Sequence, residues 1–377
     1  MGGTRTRVLL AVLALVSLVA VFTTRVARKM PDFEVYRTAA GRALAAEPLY
    51  REEDGHYQFK YLPAFALLAA PLALAPMQAA KGAWFAVSAV LMMVLLGLSL
   101  RALPEVRRPP VLLLVVTFLA MAKFYAHELV LGQVNLLFGV LAALAIVWMA
   151  SGRDAAAGAL LALAVVVKPY AAMFLPWIAV RRSRAAFAAM IGGLAILLLL
   201  PAARYGWQGN LQLLGDWWHT VTATTAPNLV NPDNVSLRAM FTKWLGPDSP
   251  APLLAAGLTA ILLGLAGIVM AGRGNLKAPD ALEGSLLLLM IPLLSPQGWD
   301  YVLLIATPAV MLLVDRTREM GVIWRVTTAV ALVAIGFTII DLLGKPAYNW
   351  TMQISLLTIC ATLLAASLAH LRWRNLA

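Results

Sequence analysis

Long apolar runs separated by short polar connections dominate this chain. A helix of about 20 apolar residues crosses the ~30 Å hydrocarbon core of a bilayer, and only helices and closed barrels can span lipid. The runs predict an all-α polytopic membrane protein with about 12 transmembrane helices, the shorter runs forming half-helices, tilted spans or cavity linings. The first run covers Val8 to Phe22, and the others cover roughly 62–76, 79–101, 110–126, 134–150, 155–167, 170–180, 185–202, 250–271, 281–296, 299–314, 321–343 and 351–369.

The composition agrees with a membrane protein and excludes several other classes of protein. Hydrophobic residues make up 62% of the chain and charged residues 13%, with a mean hydropathy of +0.82, whereas soluble domains carry about 25% charged residues. The single cysteine, Cys360, excludes a disulfide framework and cysteine-based metal sites. No long low-complexity tract occurs, so we expect residues 1–377 to form a single integral-membrane domain.

The net charge of +12 comes largely from clusters of Lys and Arg in the short connections between the apolar runs. Cytoplasmic loops of membrane proteins carry an excess of Lys and Arg, so nucleic-acid binding is not expected. The first run is expected to be a retained span, because no small-residue cleavage site follows it before Arg25, Arg28 and Lys29. The basic clusters predict that both termini are cytoplasmic. They comprise Arg5, Arg7, Arg101, Arg107, Arg108, Arg153, Arg181, Arg182, Arg184, Arg273, Lys277, Arg316, Arg318, Arg372 and Arg374.

Two long segments, 23–61 and 203–249, are then predicted to be external loops that together form the active-site face. This arrangement requires 62–76 to be a half-helix on the outer face. It also makes 155–167 and 170–180 a hairpin whose tip, Lys168-Pro169, points outward.

An acidic pair, Asp32 and Glu34, follows the first span, with Tyr36 and Arg37 directly after it. A carboxylate at the rim of a cavity suits a general base. The alternative is an interfacial helix with its charges outward and with Phe33 and Tyr36 as aromatic anchors. Residue type alone leaves both interpretations open.

Polar residues at the edges of the apolar runs form a second set of candidates. Charged residues within membrane spans are rare because they are costly, and they usually face a cavity. The alternatives are hydrogen bonds between helices, at about 0.6 kcal/mol each, and a lysine that extends to the membrane surface. The set comprises Lys60, Tyr61, His127, Glu128, Gln133, Asn135, Lys168, Gln297, Trp299 and Asp300.

The second long segment mixes aromatic, amide and basic residues. Trp217, Trp218 and His219 are followed by a run from Asn228 to Arg238 that includes Asn234 and Ser236. Aromatic faces and amide groups suit a sugar, which stacks through its C–H faces and hydrogen-bonds through its hydroxyls. The same residues also fit an interfacial aromatic belt and a turn.

Several of these segments, in this order and spacing, resemble glycosyltransferase family 87. The resemblance runs from about residue 8 to 315. It rests on Asp32 with Val35-Tyr36-Arg37, Tyr61-x-Pro63, Gly132-Gln133-x-Asn135, Lys168-Pro169 after a helix containing Gly158, Asn234-x-Ser236-Leu237, and Ser295-Pro296 with Trp299.

The family comprises polyprenol-phosphate-mannose-dependent mannosyltransferases with the membrane-embedded type C glycosyltransferase fold. The resemblance therefore implies transfer of a sugar, with mannose expected, from a polyprenyl-phosphate donor to an acceptor hydroxyl on the outer side, with Asp32 as the base. Relatives often place His after Ser-Pro-x-x-Trp, whereas this chain has Asp300 at that position.

We expect Asp32 to remove the acceptor proton, with inversion at the anomeric carbon, and one or more of Lys168, Lys60 and Arg238 to hold the leaving phosphate. No cofactor is expected, because an isolated Asp32-x-Glu34 pair is a poor magnesium or manganese site. The residues expected to contact substrate are Glu34, Tyr36, Arg37, Tyr61, His127, Glu128, Gln133, Asn135, Asn234, Ser236, Gln297, Trp299 and Asp300.

The expected partners are the lipid-linked sugar donor, a glycolipid, glycan or lipid acceptor, and membrane lipids. The expected location is the bacterial plasma (inner) membrane. A secondary transporter or flippase of a lipid-linked or polar substrate is the main alternative, because polar residues in broken helices also mark transport sites. A scaffold subunit is a third class, and the charged residues at the edges of the apolar runs argue against it.

Overall fold

The computed structural model describes residues 16–275 and 278–374. Most of the first apolar run, from Val8 to residue 15, lies outside the described residues, as do Arg5, Arg7 and Lys277. The all-α prediction is confirmed: the described residues form helices and no strand, apart from one isolated bridge between Asn234 and Trp299.

The helices follow the apolar runs, and most begin or end at a proline, a glycine or a charged residue. They are α1 (Val16–Val26), α2 (Pro31–Ala45), α3 (Pro63–Leu68), α4 (Ala70–Leu74), α5 (Met77–Ala102), α6 (Pro110–Leu131), α7 (Asn135–Ala150), α8 (Asp154–Val167), α9 (Phe174–Val180), α10 (Arg184–Leu199), α11 (Ala202–Ala223), α12 (Thr225–Asn228), α13 (Leu237–Leu245), α14 (Ala251–Ala271), α15 (Pro279–Leu294), α16 (Thr307–Arg316), α17 (Val322–Phe337), α18 (Ile340–Gln353) and α19 (Leu356–Trp373). Short 3₁₀ helices cover Glu52–Tyr57, Pro169–Met173, Arg273–Asn275 and Asp300–Ala306.

Among the described residues, four helices are long and apolar enough to cross a membrane: α5, α6, α14 and α19. The number rises to six if the pair α10 with α11–α12 and the pair α17 with α18, bent by 93° and 105°, each form one span. The helices α7 and α8 are shorter apolar helices. The chain is therefore a helical membrane protein, and the count of about twelve spans stays a prediction.

Three segments differ from a simple reading of the apolar runs. Run 62–76 forms the two short helices α3 and α4. Segments 23–61 and 203–249, expected to be external loops, contain helices: α2 in the first and α11, α12 and α13 in the second. Gly206 adopts a φ of 71° within α11 and breaks the helix near its start. Because this φ is available mainly to glycine, the break is encoded in the sequence.

The centre of the bundle is α15, in which every residue from Asp280 to Leu293 is buried. It packs against α7, α16 and α19. After α15 the chain turns sharply at Gly298, where a side chain would approach the carbonyl oxygen of Pro292 to 1.9 Å. This turn brings Gln297 and Trp299 to the site described next.

Ion pairs tie the other end of α15 to its neighbours. Asp280, at the start of α15, pairs with Arg181, and with Arg273 at 2.7 Å. Arg181 also lies 3.6 Å from Asp154. Since Asp154 begins α8 and Arg181 follows α9, the two arms around Lys168-Pro169 run in opposite directions. The predicted hairpin at this position is therefore present.

Candidate active site

A cavity of about 500 Å³ lies at the end of the bundle where α15 finishes. Its walls come from α2, the segment before α3, the α6–α7 turn, the tip of the 154–180 hairpin, the 202–228 helices and the turn after α15. Nine of the residues predicted from the sequence line it: Asp32, Tyr36, Lys60, Tyr61, His127, Gln133, Lys168, Gln297 and Trp299.

Asp32 lies in the first turn of α2, directly after Pro31. Proline at the first helical position and an acid in the first turn both favour a helix start here. Burial raises the pKa of Asp32, while a hydrogen bond from Gln133 and the charges of Lys168, His56 and His127 oppose the rise. A carboxyl group with a raised pKa that faces a cavity is suited to accept a proton.

A hydrogen-bonded network of four side chains fixes the cation of the cavity. The Lys168 ammonium donates to the Tyr61 hydroxyl at 3.1 Å and lies 4.7 Å from the centre of the Tyr61 ring. The Tyr61 and Tyr36 hydroxyls are 2.7 Å apart. Tyr36 donates to Oε1 of Gln133 at 2.9 Å, and Nε2 of Gln133 donates to the Tyr301 hydroxyl at 3.2 Å. The ammonium therefore has a fixed position in the cavity that also holds Asp32.

Glu128 and Asn135 lie behind this network and do not line the cavity. The Asn135 amide donates to Glu128 at 2.8 Å, and the backbone N–H of Leu136 donates to the same carboxylate at 2.9 Å. The carboxylate thus satisfies an otherwise unpaired donor at the start of α7. Both residues support the turn that presents Gln133.

Asp300 is fully buried beside the cavity. Its carboxylate lies 3.0 Å from the Lys123 ammonium and 3.1 Å from Nδ1 of His127. A buried carboxylate is stable only when it is paired, and Lys123 provides the charge. His127 lines the cavity, so Asp300 orients a cavity residue without lining the cavity itself.

Lys60 is the second cation of the cavity. Burial lowers its pKa, and the charge of Asp32 opposes that change. Its backbone carbonyl accepts a hydrogen bond from the Trp217 indole at 3.2 Å. This bond joins the segment before α3 to α11.

Five predicted substrate or phosphate contacts lie away from this cavity. Glu34 pairs with Lys81 at 2.5 Å, and Arg37 donates to the carbonyl of Ala75 at 3.0 Å. Ser236 accepts from the N–H of Ala239 at the start of α13. The other two are Asn234, whose side chain donates to the carbonyls of Asn228 and Pro296, and Arg238, which is exposed on α13.

Sequence reasoning did not single out several residues of the site. Tyr170 and Tyr301 line the cavity, as does Asp233, whose pKa is raised by burial and by the charge of Asp300. Lys123 and Lys81 each neutralise a carboxylate. Their positions in the sequence could have identified both lysines, because each lies inside an apolar run, where an unpaired charge is costly.

Groups of three or more His, Cys, Asp or Glu side chains that could hold a metal ion do not occur in the part of the chain that the structure describes. Asp32 and Glu34 face different surroundings, so they do not form a shared ligand pair. The chemistry that the cavity offers is a carboxylate, cations, amides and aromatic faces.

Comparison with known proteins gives one match. A search of curated proteins and a search of solved structures returned no match. The model of glycosyltransferase family 87 matches residues 59–296, which is more than half of the chain and includes Lys60, Lys168 and the end of α15. A helical membrane protein agrees with that match, and the chain belongs to glycosyltransferase family 87.

Proposed function

We propose that this membrane glycosyltransferase moves a sugar, with mannose expected, from a polyprenyl-phosphate donor to an acceptor hydroxyl on the outer side of a bacterial plasma membrane. The observation that carries the proposal is that Asp32 and Lys168 line one cavity. A base and a cation are the two groups that this reaction needs, because a phosphate leaves as a stable anion and requires little protonation.

The proposed step is a single displacement with inversion. The acceptor oxygen attacks the anomeric carbon from the face opposite the phosphate, and Asp32 takes the hydroxyl proton. The bond between the anomeric carbon and the phosphate oxygen breaks, and polyprenyl phosphate leaves with the electron pair. Lys168, held by Tyr61, stabilises the phosphate, and Lys60 is the second cation within the same cavity.

Aromatic side chains give the cavity the character of a sugar site. Trp217, Trp218 and Trp299 line it, and the Trp299 ring is stacked on Tyr301 with 6.5 Å between the ring centres. Such faces pack against the C–H surface of a sugar ring. Gln58, Gln133, Asn231 and Gln297 also line the cavity and offer amide groups to a sugar.

The test uses the purified full-length protein in liposomes with a polyprenyl-phosphate mannose donor and a lipid extract as the acceptor source. We expect release of polyprenyl phosphate by the wild type and a rate lower by about 10² to 10⁴ for Asp32→Asn, which keeps the side-chain shape and removes the base. Glu53→Gln removes an exposed carboxylate from the same outer segment and is the matched control. Turnover near the wild-type rate in Asp32→Asn would contradict the assignment, and movement of an intact donor across the bilayer would indicate a transporter.

A further inference from the structure

A second, polar pocket opens beside the cavity and is used by no step above. This outer pocket has a volume of about 310 Å³ and lies between the Glu52–Tyr57 helix and the end of the 202–228 helices. Its lining includes His56, Gln58, Lys60, His219, Thr224 and Asn228.

The outer pocket adjoins the cavity on the side of the base. His56, Gln58 and Lys60 line both spaces. His56 and Lys60 lie near enough to Asp32 for their charges to interact with its carboxylate. A molecule whose hydroxyl meets Asp32 can therefore extend past these residues into the outer pocket.

The lining of the outer pocket suits a hydroxyl-rich ligand. Its apolar members are small, Ala223 and Pro227. The Gln58 amide donates to the carbonyl of Glu52 at 3.4 Å, and the Asn228 amide donates to that of Thr224 at 2.7 Å. Across the described residues no donor contacts the amide oxygens of Gln58 and Asn228, so both can accept from a ligand hydroxyl.

A third space, the groove beside α2, has a different chemistry. It contains Phe59, Val130 and Leu131 together with the exposed cations Arg28 and Lys29. That combination suits an amphiphile. The outer pocket instead combines amides, imidazoles and hydroxyls with one acid, Glu52, and one ammonium, Lys60.

We infer that the outer pocket binds a second sugar unit of a carbohydrate acceptor, next to the unit whose hydroxyl is glycosylated. This inference rests on the proposed function and names its acceptor class: a glycan of at least two units. His219 and Asn228 contact the second unit, while Asp32 serves the first.

The kinetic test compares methyl glycosides of mannose, glucose and galactose, each as the monosaccharide and the disaccharide, as acceptors for the wild-type protein. For at least one sugar, kcat/KM for the disaccharide exceeds that for the monosaccharide by about tenfold. His219→Ala and Asn228→Ala each lower this ratio by about three- to tenfold, the value of one hydrogen bond. Gln212→Ala, exposed on the same helix as His219, leaves the ratio unchanged. Equal kcat/KM for every pair in the wild type would overturn the inference.

A binding test works without donor and without turnover. The only natural cysteine, Cys360, is buried, so a thiol introduced by His219→Cys is the accessible one. The alkylation rate of that thiol by a maleimide falls when a disaccharide glycoside is present and stays constant with the monosaccharide. Alkylation that no disaccharide slows would remove the outer pocket as a glycan site. The sugar-transfer proposal would still stand if polyprenyl phosphate is released.

Discussion

Two carboxylates two residues apart have different surroundings and different expected roles. On a helix, residues separated by two positions point about 200° apart. Asp32 faces the cavity, whereas Glu34 points to the groove beside α2 and pairs with Lys81. The sequence indicated that the two acids do not share a role, but the partner of Glu34 came only from the structure.

The raised pKa of Asp32 predicts a dependence of stability on pH. Because burial raises this pKa in the folded state, the ionised carboxyl lowers the free energy of unfolding. This lowering of the free energy of unfolding is absent at pH values below the pKa of Asp32 in the unfolded chain. It is complete at pH values above the pKa of Asp32 in the folded protein. We expect Asp32→Asn to raise the thermal unfolding temperature at pH 7 more than at pH 4.

The same measurement on Glu53→Gln provides the control, because Glu53 is exposed. An Asp32→Asn protein that is less stable than the wild type at pH 7 would show that the carboxylate stabilises the fold. The interpretation of Asp32 as a base whose ionised form destabilises the fold would then be wrong.

Lys168→Met should affect the chemical step or donor binding. The substitution removes a buried ammonium that Tyr61 holds in the cavity. Loss of one charge-stabilising donor lowers kcat by about 10² to 10³, and loss of a donor contact made before the reaction raises the donor KM. Steady-state kinetics of polyprenyl phosphate release distinguish these effects. Lys345→Met, which removes an exposed lysine, should match the wild type, and an active Lys168→Met protein would shift the phosphate site to Lys60.

At the scale of elements, the start of α2 is fixed by contacts to two other helices. The N–H of Met30 donates to the carbonyl of Val130 at the end of α6. The buried Lys81 ammonium of α5 donates to the carbonyl of Lys29 at 2.7 Å and to Glu34 at 2.5 Å. These contacts set the first turn of α2, and so they set the position of Asp32.

Gly132 should be required at the end of α6. It has a φ of 70°, and a side chain there would lie 2.8 Å from Cβ of Phe33. We expect Gly132→Ala to lower the free energy of unfolding by about 1 to 3 kcal/mol and to reduce kcat by displacing α2. Gly97→Ala, where the added methyl group meets no atom within 4 Å, is the control. Denaturant unfolding of the two variants measures the difference, and equal stabilities would contradict the steric argument.

Apolar runs predicted most helices but could not predict their bends. The run 185–202 passes through the 93° turn after α10, and the run 321–343 passes through the 105° turn after α17. Each apolar run continues for a few residues past the end of the helix, so the extent of the run does not mark the position of the turn.

The sequence predicted only the part of the site that does not depend on contacts between distant segments. Polar residues at the edges of apolar runs, such as Gln133 and Lys168, are conspicuous in the sequence, and they lie in one cavity. The pairing of Lys123 with Asp300 joins α6 to the segment after α15, so it depends on tertiary packing alone. Arg238 was proposed because it is a cation near an amide cluster, but the exposed face of α13 directs it away.

At the scale of the whole molecule, polar side chains concentrate at two ends of the bundle. The cavity adjoins Ser295 at the end of α15, and the ion pairs of Asp280 lie at the start of the same helix. A helix of 16 residues is about 24 Å long. This length is somewhat below the ~30 Å of the hydrocarbon core, and we expect the two polar ends to lie near opposite membrane surfaces.

Cysteine accessibility tests which end faces outward. The buried Cys360 gives a low background, and Glu53 and Arg318 are exposed positions in segment 23–61 and in the basic cluster after α16. If the cavity opens outward, an impermeant maleimide labels the Glu53→Cys protein in intact cells and labels Arg318→Cys only after permeabilisation. Arg153→Cys, exposed before α8, should behave like Arg318→Cys. The reverse pattern would place Asp32 and Lys168 on the cytoplasmic side, where the donor and acceptor would have to meet instead.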